Sequence, residues 1–272
     1  MERMARQEIF DFVDNPLGIA GRGFVVTGGS RGLGREIVEV LAAAGARVAT
    51  CARTESDLRT LQGDLAAGGG NLYTEALDVT GPAALEAFVG RAADRFGRMD
   101  GVVACAGGAS GGSLEDAETA DWAATFEINV LHAQRLLKAA APHLRAAGGG
   151  SAVLISSING WKPAPRAQYG AAKAALISMA GSLANELGPQ NIRVNTVSPG
   201  SMLVPGRRWA RMQAEEPEAF ARFAAQVPSG ELVTPQEVAR VVAFLLSRWS
   251  SGMTGAHVVV DRGQNNPTPD GY

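Results

Sequence analysis

The stretch Thr27 to Gly34, T-G-G-S-R-G-L-G, constrains this chain more than any other. An apolar run, Phe24 to Val26, precedes it, and Leu33, Ile37, Val40 and Leu41 follow at helical spacing. Strand, glycine turn and helix together let a backbone approach a bound pyrophosphate. The helix N-terminus then offers unpaired N–H groups and the positive end of its dipole. Gly28, Gly32 and Gly34 are spaced G-x-x-x-G-x-G, not G-x-G-x-x-G. A glycine turn alone is also an ordinary connection. The strand before it and the helix after it make it a dinucleotide site.

From Gly23 onward the pattern alternates. Strands are expected at 24–27, 47–51, 71–77, 101–105, 151–156, 191–197 and 257–260. Helical spacing covers 32–44, 54–67, 82–97, 121–147, 167–187 and 235–247. Alternation with short connections predicts an α/β fold, one doubly wound parallel sheet with helices on both faces. In such a sheet the ligand lies outside the carboxyl ends of the strands. Residues 1–21 show no clean period and read as an arm, residues 22–263 as a single domain, and 264–272 as a polar tail. Residues 200–232 break the rhythm with Pro205, Pro217, Pro228, Trp209, Phe220 and Phe223, and read as a substrate lid.

Composition narrows the function. The chain is 46% hydrophobic and has 34 glycines, which suits closely packed helix and sheet layers. A net charge of −2 gives no basic face for nucleic acid and no polybasic tract for a membrane surface. No apolar stretch approaches the ~20 residues of a membrane span. Glu2, Glu8, Asp11 and Asp14 occupy the N-terminus with no apolar h-region, so no signal peptide is expected and the cytoplasm is the expected location. Cys51 and Cys105 read as buried reduced thiols, and three scattered histidines give no metal spacing.

The candidate chemistry follows the strands. After the second comes Arg53, where a fold that prefers NAD places an acid for the ribose hydroxyls. With Arg31 in the glycine turn, two guanidinium groups can clamp a 2′-phosphate, so NADP(H) is favoured over NAD(H). The competing reading is two solvated surface charges. Asp78 and Val79 can line the adenine, or Asp78 can cap the next helix. Ala106, Gly107 and Gly108 leave room for a ligand at the backbone. Tyr169 and Lys173, in Y-G-A-A-K, share one helix face. A phenol near pKa ~10 is a poor base at neutral pH, and an ammonium beside it lowers that value. Such a phenol can exchange a proton with a carbonyl or an alcohol. Ser156 and Ser157 end an apolar strand and can hold the substrate oxygen, or serve only as turn residues. Asn129, among apolar neighbours in F-E-I-N-V, wants a partner and can kink its helix around a water.

With these pieces in order, residues 22–263 resemble the short-chain dehydrogenase/reductase family. T-G-G-S-R-G-L-G is similar to its cofactor turn, and F-G-R-M-D-G-V-V-A-C-A-G, residues 96–107, to its fourth strand and turn. N-I-R-V-N-T-V-S-P-G, residues 191–200, resembles its nicotinamide segment, and M-T-G-A-H-V-V-V-D, residues 253–261, its closing strand. Asn129, Ser157, Tyr169 and Lys173 match its catalytic tetrad. The resemblance implies a seven-stranded Rossmann sheet, dimers or tetramers, and hydride transfer at nicotinamide. It implies that the tyrosine is the acid/base and the serine orients the substrate oxygen. The lysine would bind ribose and lower the tyrosine pKa, and the asparagine would support a water relay. It places the cofactor against Gly28, Ser30, Arg31, Gly32, Leu33, Gly34, Arg53, Asp78, Val79, Ala106, Gly107, Tyr169, Lys173, Pro199, Gly200 and Met202.

The chain departs from the family in four places. N-N-A-G becomes Ala104, Cys105, Ala106, Gly107. The serine–tyrosine interval is thirteen from Ser156 and twelve from Ser157; S-I-N-G favours Ser157, with Ser156 the runner-up. The usual threonine after Pro199–Gly200 is Val204, with backbone groups or Ser201 as substitutes, and D-G-G becomes Asp261, Arg262, Gly263.

The expected function is an NADP(H)-dependent carbonyl reductase and alcohol dehydrogenase. A 3-oxoacyl thioester reductase is the alternative, and a catalytically silent dinucleotide binder a third reading. Lid residues Met202, Leu203, Val204, Trp209, Phe220 and Phe223 suggest an apolar or bulky substrate, with Trp161 and Gln168 beside it. Arg207 and Arg208 can bind an acidic substrate end, or remain surface charges.

Overall fold

A computed structural model describes residue 15, residues 17–66 and residues 71–264. The expected alternation is present throughout. The strands are β1 (Gly23–Thr27), β2 (Arg47–Ala52), β3 (Asn71–Ala76), β4 (Gly101–Ala104), β5 (Gly150–Ile155), β6 (Ile192–Pro199) and β7 (His257–Val260). The helices are α1 (Gly32–Ala43), α2 (Glu55–Ala66), α3 (Pro82–Phe96), α4 (Thr119–Phe126), α5 (His132–Ala146), α6 (Ala167–Leu187), α7 (Arg208–Glu215), α8 (Pro217–Ala224) and α9 (Pro235–Leu246).

The seven strands form one sheet in the order β3-β2-β1-β4-β5-β6-β7, and every neighbouring pair is parallel. The chain builds outward from β1 to β3, then crosses to β4 on the other side of β1. That reversal opens a crevice at the carboxyl ends of β1 and β4.

Period-2 side-chain alternation splits the core between the two faces. Val25 of β1 packs with Phe88, Leu136 and Leu176, from α3, α5 and α6. Its neighbours Phe24 and Val26 pack with Ile37, Leu41, Val238 and Val242, from α1 and α9. In α1 the buried stripe is Leu33, Ile37, Val38 and Leu41, the i, i+4 spacing read from the sequence. Truncating one such residue, as in Ile37→Ala, is worth about 2–5 kcal/mol of stability. α9 begins at a capping box. Thr234 Oγ1 accepts the Glu237 N–H at 3.2 Å, and Glu237 Oε2 accepts the Thr234 N–H at 2.7 Å.

Three expectations are refined. The single helix read over 121–147 is two helices joined by a π-helical turn, Glu127–Leu131, that carries Asn129. An i→i+5 turn inserts one residue and re-aims the side chains beyond it. The lid read over 200–232 is not irregular throughout: it contains α7 and α8, and Met202 bridges to Val233. Of the arm read over 1–21, residues 1–14 and 16 lie outside the described residues. Its last part is docked, since Ile19 is fully buried and the Gly21 N–H donates to the Gly45 carbonyl. Of the tail, residues 265–272 lie outside the described residues. Among the described residues no helix is long and apolar enough to cross a membrane, and no cluster of His, Cys, Asp or Glu could hold a metal ion.

Candidate active site

The crevice is a cleft of about 690 Å³ lined from the carboxyl ends of β1 to β6. Every residue expected at the cofactor lines it, from Gly28 and Ser30 through Arg53, Asp78, Val79, Ala106 and Gly107 to Pro199, Gly200 and Met202. Ser157, Tyr169 and Lys173 line it too. Asn129 does not; it is fully buried behind the wall.

The glycine turn is built for close approach. Gly28 has φ +74°, a conformation a side chain rarely adopts, and a Cβ there would lie 3.0 Å from Ala106 Cα. A Cβ on Gly34 would lie 2.2 Å from the Gly28 carbonyl oxygen. The turn can close only without these side chains. Helix α1 then starts at the cleft, and its N-cap residue, Arg31, makes no side-chain cap bond. The first N–H groups of α1 therefore remain free for an anion. A bare backbone cradle at a helix N-terminus fits the diphosphate of a nicotinamide dinucleotide.

Arg31 and Arg53 are exposed at the same cleft, and neither forms an ion pair among the described residues. Asp78 does not cap the next helix, whose N-cap is Gly81. Instead its Oδ1 accepts from the backbone N–H of Thr80 at 2.9 Å and from its hydroxyl at 2.8 Å. These bonds, with the Arg53 charge, hold the Asp78 carboxyl below its ordinary value. Val79 is buried beside it.

At the other end of the cleft the two serines have separate partners. Ser156 Oγ donates to the backbone carbonyl of Lys173 at 2.7 Å. Ser157 Oγ accepts from the Asn159 N–H at 3.2 Å, and Ser157 acts on the Tyr169 phenol to lower its pKa. Tyr169 and Lys173 share a face of α6 as expected, with Nζ 5.6 Å from the phenol ring centre. Nζ donates to the Ile155 carbonyl at 2.8 Å.

The electrostatics correct one expectation. Burial raises the Tyr169 phenol above its ordinary value, opposed only in part by Ser157. Burial brings the Lys173 ammonium itself down to about 8, because an apolar surround disfavours its charge. Cys51 and Cys105 are free thiols that burial pushes up to about 12, so neither is a nucleophile at neutral pH.

Asn129 anchors the β4 loop. Its Nδ2 donates to the carbonyls of Thr125 and Gly108, at 2.7 and 2.6 Å, and its Oδ1 accepts the Gly108 N–H at 3.4 Å. A Cβ on Gly107 would lie 2.7 Å from that oxygen, so a side chain there would displace the Asn129 amide.

The lid reaches the cleft through fewer residues than expected. Met202, Val204 and Arg207 line it. Leu203, Phe220, Trp209 and Phe223 do not; Trp209 stacks on Phe223 with ring centres 3.9 Å apart. Arg208 lies over the Trp209 ring and does not line the cleft. Trp161 packs edge-on against His257 outside the cleft. Gln168 is buried and donates to the Ser110 carbonyl, so it holds a loop. Ser201 is tied to Gln264, its N–H donating to Oε1 at 2.8 Å and its Oγ accepting from Nε2 at 3.0 Å. Sequence reasoning missed Gln264, and it missed His132 and Thr27, which meet at 3.2 Å behind the cleft. No local pattern marks such long-range pairs.

Comparison with known proteins agrees with this geometry. A family described as enoyl-(acyl carrier protein) reductase matches residues 28–265. The trans-4-hydroxycyclohexanecarboxylate dehydrogenase of Sinomonas cyclohexanicum is 38% identical over 90% of this chain and 93% of its own. A short-chain type dehydrogenase/reductase from Mycobacterium ulcerans superposes with a TM-score of 0.85 at 32% identity, covering 91% of each chain. L-sorbose reductase from Gluconobacter frateurii, solved with NADPH and L-sorbose, gives a TM-score of 0.85 at 29% identity over 93% of this chain and 99% of its own.

Proposed function

The chain belongs to the short-chain dehydrogenase/reductase family, oxidoreductases acting on CH–OH groups, and on that premise we propose that it interconverts a ketone and a secondary alcohol with NADP(H). The observation that carries the proposal is the meeting of Ser157, Tyr169 and Lys173 in one cleft with the glycine turn. A protein that only bound a dinucleotide would have no use for that phenol.

When bound, the nicotinamide supplies or accepts the hydride at the substrate carbon. The chain's own residues handle the oxygen. Ser157 holds it beside the Tyr169 hydroxyl, which gives a proton to the ketone or takes one from the alcohol. Lys173, fixed by the Ile155 carbonyl, stands close enough to the phenol to steady a developing phenolate. The Asn129 side chain is spent on the β4 loop, so a water relay there would use its main chain, which the π-turn takes out of the α-helical register. Arg31 and Arg53 support the preference for NADP(H), since both stand unpaired at the cleft and Arg53 lies where an acid would select NAD.

Pairing with a second copy of the chain belongs to the same reading. α6 has only two charged residues in 21 and presents Ala171, Ser178 and Ser182 outward. A helix face of small, mostly uncharged residues lets a second helix approach closely. Sedimentation at micromolar concentration that gives only a 28.2 kDa species would count against it.

The test is initial rates with NADPH and NADH across cyclic, aryl and polycyclic ketones and short 3-oxoacyl thioesters, with Tyr169→Phe alongside. Turnover with NADPH well above NADH, lost in Tyr169→Phe, supports the proposal. Faster turnover with NADH overturns the cofactor preference and leaves the chemistry intact. Survival of turnover in Tyr169→Phe removes the proton donor. Arg207 at the rim, with the acyl-carrier description of the matching family, favours a second reading as a 3-oxoacyl thioester reductase. Thioesters outrunning every simple ketone would select it.

A further inference from the structure

His132 opens α5 directly after the π-turn that carries Asn129, and it is 1% exposed. Its Nε2 lies 3.2 Å from Thr27 Oγ1. That oxygen is also 3.1 and 3.3 Å from the amide nitrogens of Cys105 and Ala106, and 3.4 Å from the Val103 carbonyl. A hydroxyl has one proton and two lone pairs. The two amides fill the lone pairs, so the proton must go elsewhere. His132 Nε2 is nearer than the Val103 carbonyl and takes it, provided the ring is neutral, with Nε2 bare and Nδ1 protonated.

The surroundings enforce the neutral ring. Burial, then the nearby Lys173 charge, bring the ring down to about 4, with the Ile128 carbonyl pulling the other way. Nδ1 itself is buried and has no partner of good hydrogen-bond geometry. Among the described residues the ring's well-formed polar contact is therefore at Nε2, with Thr27, and its role is sought there.

That role lies in the loop after β4. Where the family has two asparagines, this chain has Ala104 and Cys105, with no side-chain amide to tie the loop. Here Thr27 holds the amides of Cys105 and Ala106, and Asn129 holds both backbone groups of Gly108. The held segment touches the glycine turn, since Ala106 Cα limits the space at Gly28. We infer that His132 is a positioning residue of the cofactor site: it fixes the Thr27 hydroxyl as acceptor for the Cys105 and Ala106 amides and so holds the β4 loop against the glycine turn. The inference rests on reading the cleft as a dinucleotide site.

The test compares wild type with His132→Phe, His132→Gln, Thr27→Val and the double variant His132→Phe/Thr27→Val. Backbone hydrogen exchange is read over residues 103–108, and NADPH affinity by fluorescence titration. Gln can place a carbonyl oxygen where Nε2 stands. His132→Phe should speed exchange at Cys105 and Ala106 by about tenfold and weaken NADPH to a similar degree, the loss of one buried hydrogen bond, and Thr27→Val, which removes the acceptor itself, should do so by at least as much. The effect should fall on cofactor KM and leave kcat at saturating cofactor nearly unchanged. His132→Gln should restore most of it. The double variant should be no worse than the worse single one, because both act through one hydroxyl.

Unchanged exchange in a folded His132→Phe, or additive effects in the double variant, would overturn the inference. If His132→Phe does not fold, His132→Leu takes its place. Long-range proton–nitrogen NMR of the wild-type ring at pH 7 decides independently: an Nδ1–H tautomer is required, and an Nε2–H tautomer refutes it. Failure of wild type to bind either NADPH or NADH would sink the dinucleotide reading alone, since exchange and tautomer do not depend on cofactor.

Discussion

Ser156 Oγ donates to the main-chain carbonyl of Lys173 at 2.7 Å, which ties the end of β5 to the middle of α6. The neighbouring Ser157 is thereby the serine left to meet Tyr169. The two serines therefore separate by experiment. Ser157→Ala should lower kcat by about 10²–10³, the usual loss for one donor at a reacting oxygen. Ser156→Ala should keep turnover close to wild type and lose about 1 kcal/mol of stability. Steady-state rates and denaturant melts of both variants check this, and the reverse pattern would reassign the role to Ser156.

The pH dependence follows from the directions of two shifts. Burial raises Tyr169, so the phenol stays protonated through neutral pH and beyond. That form donates a proton, which favours carbonyl reduction near pH 7, while alcohol oxidation needs the phenolate and should quicken as pH rises. Lys173, brought down to about 8, titrates first. The kcat/KM for reduction should therefore decline as pH passes about 8, before Tyr169 ionises. A profile flat to pH 10 would show that the Lys173 charge contributes nothing to the reaction.

Much of this was legible in the sequence because the period of each element is local. Leu33, Ile37 and Leu41 announce α1 by their own spacing, and Phe24 to Val26 announce β1 by their lack of polar residues. Tyr169 and Lys173 were readable for the same reason, lying one helical turn apart. The choice between Ser156 and Ser157 was not, since it depends on which hydroxyl faces α6. Nor was the direction of the Tyr169 shift: an i, i+4 lysine signals a lowered phenol, but burial acts on both groups and sequence does not carry burial depth. Thr27 and His132 stand 105 positions apart, and only the crossover from β1 to β4 brings them together. The lid misled in another way. Its aromatic residues were read as facing substrate, whereas Trp209 and Phe223 satisfy each other.

Arg31 and Arg53 give a cofactor prediction with an internal control. A charge-assisted hydrogen bond to phosphate contributes about 1.5–3 kcal/mol, or roughly 10- to 100-fold in affinity. Arg53→Ala should raise the NADPH dissociation constant by about that factor and leave NADH nearly unchanged, since NADH has no 2′-phosphate. Arg31→Ala should do the same to a lesser degree, because Arg31 lies in the glycine turn and its loss also touches the diphosphate. Titration of both cofactors against each variant reads the difference. Equal weakening of NADPH and NADH by Arg53→Ala would place that side chain away from the 2′-phosphate.

The last prediction concerns stability at low pH. Glu237 caps α9 and pairs with Arg262, whose Nη2 lies 2.8 Å from Oε1. Arg262 also pairs with Glu231 at the end of the lid. The Arg262 hydrogen bond, then the Thr234 N–H, bring the Glu237 carboxyl down from its ordinary 4.5 to about 2. A carboxyl lowered on folding contributes stability that is present above its unfolded value and lost as pH falls through the folded one. The loss should therefore run from about pH 4.5 to about pH 2. Glu237→Gln keeps an acceptor for the Thr234 N–H, so the cap survives and only the charge is removed. The variant should melt modestly below wild type at pH 7, and the gap should close as pH falls through that window. Thermal melts at a series of pH values measure it, and a gap that stays constant down to pH 2 would show that the charge on Glu237 is not what links Arg262 to the fold.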